Sequence, residues 1–268
     1  MRSSSSHSAH RAVRSLGQNF LTDKHSVERI INACHLSKGE NILEIGPGQG
    51  ALTHYLAQSE CKIFAVEKDR RLAQQLESEF VGNDIKIISG DILKFDFDQL
   101  PHPIKVIGNI PYNISTPIIE KIIANKHRIS EAFLTVQLEF GQRMTAKPHS
   151  KAYGSLTLFV QYHFDAKILF KIKAGSFSPK PKVDSCFISL KPVERKSAVS
   201  EKRLFTLIQT SFQQRRKTII NSMKKLIPPD KLSSLLDKLK LSHHLRAENL
   251  DLGQFMAIAE FWEKEEGG

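Results

Sequence analysis

The residues with the clearest chemical potential lie at the ends of short apolar runs. EIGPGQG (44–50) sets glycines at 46, 48 and 50 between an expected strand and an expected helix. Glycines there let the backbone pass close beneath a ligand, because a side chain would collide with it. Glu67, twenty-one residues after Gly46, ends a second expected strand, where an acid can accept hydrogen bonds from both hydroxyls of a ribose. Asp91, in GDIL (90–93), ends a third. It can accept from an adenine amino group or serve as a helix N-cap. Because Ala51 follows Gly50, the loop also satisfies the GxGxxG/A dinucleotide pattern. A nicotinamide dinucleotide and S-adenosyl-L-methionine are therefore both candidate ligands. Glu44 favours the second, whose sulfonium and amino group carry positive charge.

GNIPYNIS (108–115) follows a fourth expected strand. Asn109 offers a side-chain carbonyl, Ile110-Pro111 fixes an extended backbone whose carbonyl can point into a cleft, and Tyr112 supplies a flat ring. These parts suit an exocyclic amine. The lone pair of an adenine amino group is delocalised into the ring, and two acceptors on its N–H bonds favour a pyramidal, nucleophilic nitrogen. Catalysis of this kind rests on alignment and desolvation and needs no strong general base.

These residues must be held by a sheet. From Asn41 to Leu138 the runs NILEIG (41–46), KIFAVE (62–67), IKIIS (85–89), IKVIGN (104–109) and EAFLTVQ (131–137) alternate with ALTHYLAQ (51–58) and RRLAQQLESEF (70–80), which have helical spacing. Ile- and Val-rich strands alternating with helices predict a doubly wound α/β fold with a parallel sheet. SLTLFVQYHF (155–164) and SCFISL (185–190) read as two further strands, added antiparallel at one sheet edge. KPVERKSAVSEK (191–202) reads as a linker, and RLFTLIQTSFQQ (203–214), DKLSSLLDKLK (230–240) and LGQFMAIAEFW (252–262) as helices. A boundary near Val193 would divide a catalytic domain (16–192) from a small helical domain (193–268), with residues 1–15 as a basic, disordered arm.

Of 268 residues, 39 are Lys or Arg and 28 Asp or Glu, a formal net charge of +11. The excess is local. Between Ala166 and Pro229 there are 15 Lys and Arg against 3 acids, so that segment carries +12 and the rest −1. A polyanion is the natural partner. FQQRRKT (212–218), expected on a helix, offers Arg215, Arg216 and Lys217 to phosphates, and lysines at 167–182 flank Phe177. No apolar stretch approaches the ~18 residues of a membrane span. Cys34, Cys61 and Cys186 have no CxxC or His pattern for a metal and read as reduced thiols in a cytoplasmic protein. His243-His244 and Trp262 read as surface and packing residues.

EIGPGQGALT, VEKD, GNIPYNIS, SKAYGSL (150–156), FSPKPKVDS (177–185) and SFQQRRKT (211–218), with GQNFL (17–21) before them, together resemble the 16S ribosomal RNA adenine dimethyltransferases over about residues 11–262. The resemblance implies a Rossmann-like class I S-adenosylmethionine-dependent methyltransferase fold with a small α-helical C-terminal domain that binds rRNA. It implies dimethylation of two adjacent adenosines in the 3′-terminal hairpin loop of 16S rRNA within immature 30S subunits, by a monomer. Cofactor contacts would come from Asn19, Leu21, Gly46, Glu67, Asp91 and Asn109. The catalytic set would be Asn109 as acceptor, with Tyr112 and Phe177 sandwiching the target base in the manner of flipped-base enzymes. The chain departs from the family at Gln137-Leu138-Glu139, where QKE is common, and at Arg246-Ala247-Glu248, where a proline is usual and its loss would loosen the turn. Two alternatives stand beside this reading. One is a large-subunit rRNA adenine methyltransferase of the macrolide-resistance type, against which FSPKPKVDS and the long C-terminal domain argue. The other is an assembly factor that acts mainly by binding.

Overall fold

The structure, a computed structural model, describes residues 18–195 and 199–267. The basic arm expected at 1–15 and Lys196 of the basic segment lie outside these residues. The chain forms two compact units, residues 18–137 with 169–187, and residues 138–168 with 188–267. The single boundary expected near Val193 is thus not where the chain divides. Residues 138–168 belong with the C-terminal helices because they share an apolar core with them, in which Tyr153 and Leu158 pack with Leu204, Leu207, Leu232 and Phe255.

The first unit is built on a sheet. In chain order its elements are β1 (Phe20–Leu21), α1 (Lys24–Ala33), β2 (Asn41–Ile45), α2 (Thr53–Leu56), β3 (Lys62–Glu67), α3 (Arg70–Glu79), β4 (Ile85–Ser89), β5 (Ile104–Asn109), α4 (Ser115–Ala124) and β6 (Ile129–Gln137). The sheet order is β4-β3-β2-β5-β6, every pair parallel. Four of the five β2 residues are buried, as a parallel strand covered on both faces requires. Asp69 caps α3 by accepting the Arg71 N–H at 3.0 Å. The winding direction reverses between β2 and β5. In such sheets ligands bind beyond the carboxyl ends of the strands at that reversal. The glycine loop follows β2 and the NIPY string follows β5, so the topology alone brings them together.

Beyond β6 the sheet continues with β9 (Ser185–Pro192) and then β7 (Phe164–Ile172), so the addition expected at one edge is present. Its composition differs from expectation. Residues Ser155–His163 form a helix, and the edge strand is β7, whose residues alternate between more and less buried. That helix is buried at Thr157, Leu158, Val160, Tyr162 and His163. With so little polar face, it lacks the 3.6-residue signature, and its β-branched and aromatic residues imitate a strand. A separate two-stranded ribbon pairs β1 with β8 (Phe177–Ser178).

The second unit contains α5 (Leu138–Met144), the helix just described, now α6 (Ser155–His163), α7 (Glu201–Gln213), α8 (Ile219–Met223), α9 (Pro229–Lys238) and α10 (Leu252–Gly267). Arg195 donates to the Gln161 and Tyr162 carbonyls at 3.0 and 3.1 Å and so caps the C-terminal turn of α6. Trp262 is buried, and the Arg203 guanidinium lies 4.7 Å from its ring centroid, a packing role. Arg215, Arg216 and Lys217 do not lie on a helix. α7 stops at Gln213, and the three residues occupy the turn before Thr218, whose side chain accepts the Asn221 N–H to cap α8. The Arg246-Ala247-Glu248 turn stays closed without proline, since Asn249 Oδ1 accepts the Arg246 N–H at 2.8 Å and Ala247 is buried.

Candidate active site

A cleft opens at the carboxyl ends of β2, β3 and β5. Asn19, Leu21, Gly46, Glu67, Asp91, Asn109 and Tyr112 all line it, together with Glu44, Lys68 and Ile110. Two glycines explain its floor. Gly46 has φ +67°, and a Cβ there would project into open space, the cleft a ligand needs. Gly48 has φ +60°, and a Cβ would stand 3.0 Å from the Phe20 ring. No L side chain fits either requirement without strain.

Glu67 is buried at the end of β3. Its Oε2 accepts the Gly48 N–H at 2.9 Å and its Oε1 the Asp69 N–H at 2.8 Å. Burial pushes this carboxyl above its ordinary range, and the two backbone bonds oppose the shift. A carboxylate has about four lone-pair sites, so both oxygens retain acceptor capacity for a diol. Asp91 lies two residues past β4. Its Oδ1 accepts the Leu93 N–H at 3.1 Å and its Oδ2 pairs with Lys68 Nζ at 2.8 Å, a bond that lowers its pKa. The helix N-cap reading is not met: the residues after Asp91 form a turn and not a helix, and Asp91 lines the cleft.

Glu44 is only 1% exposed and accepts the Thr53 hydroxyl at 2.8 Å. Burial pushes its carboxyl up to about 7 against the opposing Thr53 bond. A buried acid with one neutral partner is a ready neighbour for a cation.

Asn109 Nδ2 donates to the Asn19 carbonyl at 3.0 Å. A carbonyl only accepts, so this bond fixes the amide orientation and leaves Oδ1 as the acceptor Asn109 can offer. Of the carbonyls in the Ile110-Pro111 segment, that of Pro111 accepts the Ile114 N–H and the Ser115 hydroxyl and is spent in the turn. The second acceptor falls to Ile110. Tyr112, half-buried, meets Ser185 Oγ through its hydroxyl at 2.6 Å.

Phe177 departs from expectation. It is 3% exposed, sits in β8 opposite Leu21, and packs with Val27, Ile30 and Phe187 instead of lining the cleft. An aromatic followed by Pro179 and Pro181 reads equally as a loop or a core residue, and the ribbon with β1 draws it into the core. In this conformation it positions Leu21, which lines the cleft. Arg215, Arg216 and Lys217 belong to the second unit. Arg215 pairs with Glu248 at 3.4 Å. Sequence reasoning missed Thr53 and Ser185, whose hydroxyls serve Glu44 and Tyr112. His54 was missed as well: its two ring nitrogens face the Gly50 carbonyl and, at 2.6 Å, Glu79. Among the described residues no cluster of His, Cys, Asp or Glu could hold a metal, and no helix is long and apolar enough to cross a membrane.

These residues fit S-adenosylmethionine: a diol acceptor at Glu67, an open floor at Gly46, and a buried acid at Glu44 for the cationic end. Comparison with known proteins agrees. Residues 9–264 match the family described as ribosomal RNA adenine dimethylase. The chain is 39% identical over 261 residues to "Ribosomal RNA small subunit methyltransferase A" of Francisella tularensis subsp. novicida, covering 94% of this chain and 97% of that one. Its fold is similar to that of a dimethyladenosine transferase from Plasmodium falciparum (TM-score 0.82, 26% identity, 92% and 98% of the two chains). It is also similar to that of the 23S rRNA methyltransferase ErmE (TM-score 0.74, 25% identity, 91% and 100%). The chain belongs to the ribosomal RNA adenine dimethylase family and is a class I methyltransferase whose cofactor is S-adenosyl-L-methionine.

Proposed function

We propose that this enzyme dimethylates the 6-amino groups of two adjacent adenosines in the 3′-terminal hairpin loop of 16S rRNA, acting as a cytoplasmic monomer on immature 30S subunits. The observation that carries the reading is the Asn109 amide, turned by the Asn19 carbonyl so that Oδ1 is its acceptor in the cleft. The cofactor supplies an electrophilic methyl group on a sulfonium. The chain supplies alignment: Asn109 Oδ1 and the Ile110 carbonyl accept the two amine N–H bonds, and the Tyr112 ring stacks on the base. Glu67 and Asp91 take the ribose and adenine of the cofactor. Arg215, Arg216 and Lys217 belong to the rRNA-binding part. The relatives named for small-subunit methylation support the choice of subunit.

The test supplies cofactor with a labelled methyl group to each purified ribosomal subunit separately, taken from cells lacking this modification. Label should appear as 6-dimethyladenosine in small subunits and be lost with Asn109→Ala. The fold likeness to a 23S enzyme gives the competing outcome. Label confined to large subunits would replace this reading.

A further inference from the structure

Tyr112 is fixed at its tip by a residue seventy-three positions away. Ser185, the first residue of β9, is 0% exposed, and its Oγ lies 2.6 Å from the Tyr112 hydroxyl. A fully buried hydroxyl has no water to turn to, so a direct bond of this kind is strongly directional. The neighbouring Asp184 accepts the Ala174 N–H at 2.9 Å and anchors the turn that leads into Phe177. The start of β9 is therefore a fixed post, braced on both sides, against which the phenol rests. Nothing else at the phenol tip supplies a side-chain bond among the described residues.

We propose that Ser185 is a positioning residue for base capture: it sets the tilt of the Tyr112 ring, and through it the plane in which the target adenine stacks. This rests on the reading of Tyr112 as the stacking residue. A ring held only at its Cβ swings about χ1 and χ2. Held at both ends, it presents one face to the cleft, and the amine reaches the Asn109 and Ile110 acceptors in a single orientation. Small misplacements of a reacting group are costly because effective concentration depends on alignment.

The experiment measures single-turnover methyl transfer to unmethylated small subunits by the full chain and by Ser185→Ala, Tyr112→Phe, the double variant and Tyr112→Ala. Calorimetric cofactor affinity and unfolding midpoints are recorded alongside. Ser185→Ala and Tyr112→Phe should each slow transfer roughly tenfold, in line with the loss of one hydrogen bond, with cofactor affinity unchanged. The double variant should be no slower than Tyr112→Phe alone, a coupling that general loosening of the fold would not produce. Losses that multiply, or a full rate in Ser185→Ala, overturn the proposal while leaving Tyr112 as the stacking residue. A full rate in Tyr112→Ala overturns the stacking assignment and the proposal with it. Should Ser185→Ala fail to fold, Tyr112→Phe breaks the same bond, and its full rate is equally decisive.

Discussion

Gly48 donates its backbone N–H to Glu67 Oε2 at 2.9 Å, so the glycine loop and the acid at the end of β3 are one hydrogen-bonded unit. Glu67 therefore shapes the loop as well as offering acceptors. Glu67→Gln keeps the volume but leaves one acceptor oxygen, so one of the two backbone N–H groups loses its partner. Charged hydrogen bonds contribute about 1.5–3 kcal/mol each, and cofactor affinity should fall at least roughly tenfold. Titration calorimetry checks it. Glu67→Ala should fall further.

The position of Phe177 predicts a stability effect. Truncating a buried Phe to Ala costs about 3–5 kcal/mol, whereas removal of an exposed loop aromatic would cost little. Denaturant unfolding of Phe177→Ala should show the larger loss.

Glu44 predicts how stability depends on pH. Its folded pKa, about 7, lies above the ordinary 4.5. Between these values the unfolded chain has released the proton and the folded chain keeps it. Stability should therefore decline as pH rises from 4.5 to 7, by about 3 kcal/mol for this group alone. Glu44→Gln should flatten that part of the profile in denaturant melts collected across the range.

His54 titrates with the opposite chemistry and the same sign. Burial pulls its pKa down, but the Gly50 carbonyl and the Glu79 carboxylate outweigh that effect, and the net shift is upward. Its contribution is complete below the ordinary histidine range and is lost as pH rises through the raised value. An NMR titration should place the ring above a free histidine, and Glu79→Gln should bring it down.

Arg216 and Lys217, exposed in the turn before α8, predict an electrostatic effect on subunit binding. Removing both should weaken affinity and reduce the log–log salt slope by roughly one or two, as expected when that many phosphate contacts are lost. Binding measured between low and moderate salt decides this.

Much of the site was legible because strand ends are chemically exposed positions. Gly46, Glu67 and Asn109 each follow or close an apolar run, and the run itself states where the residue will stand. The hydroxyls of Thr53 and Ser185 were not legible, because a buried serine or threonine acquires its meaning only from a partner that tertiary structure brings. The same holds for the carbonyl of Asn19, which orients Asn109. Helix α6 was misread because burial on most of its surface erases the polar face that declares a helix. The turn at 214–217 had a signal in Thr218, an N-cap residue directly before IINSM, but the basic run beside it drew the helix too far.

The cap that Arg195 places on α6 bears on how the positive charge is to be counted. Two of its N–H groups are committed to the carbonyls of Gln161 and Tyr162 although the residue is exposed, and the Arg203 guanidinium lies over the Trp262 ring. Such guanidiniums remain charged and contribute to the long-range field that draws a polyanion in. They release no counterions of their own unless a phosphate reaches them. On the proposed rRNA-binding role, the association rate should sense the whole basic segment, whereas the salt dependence of the equilibrium should count only the part of it not already employed in holding the helices together.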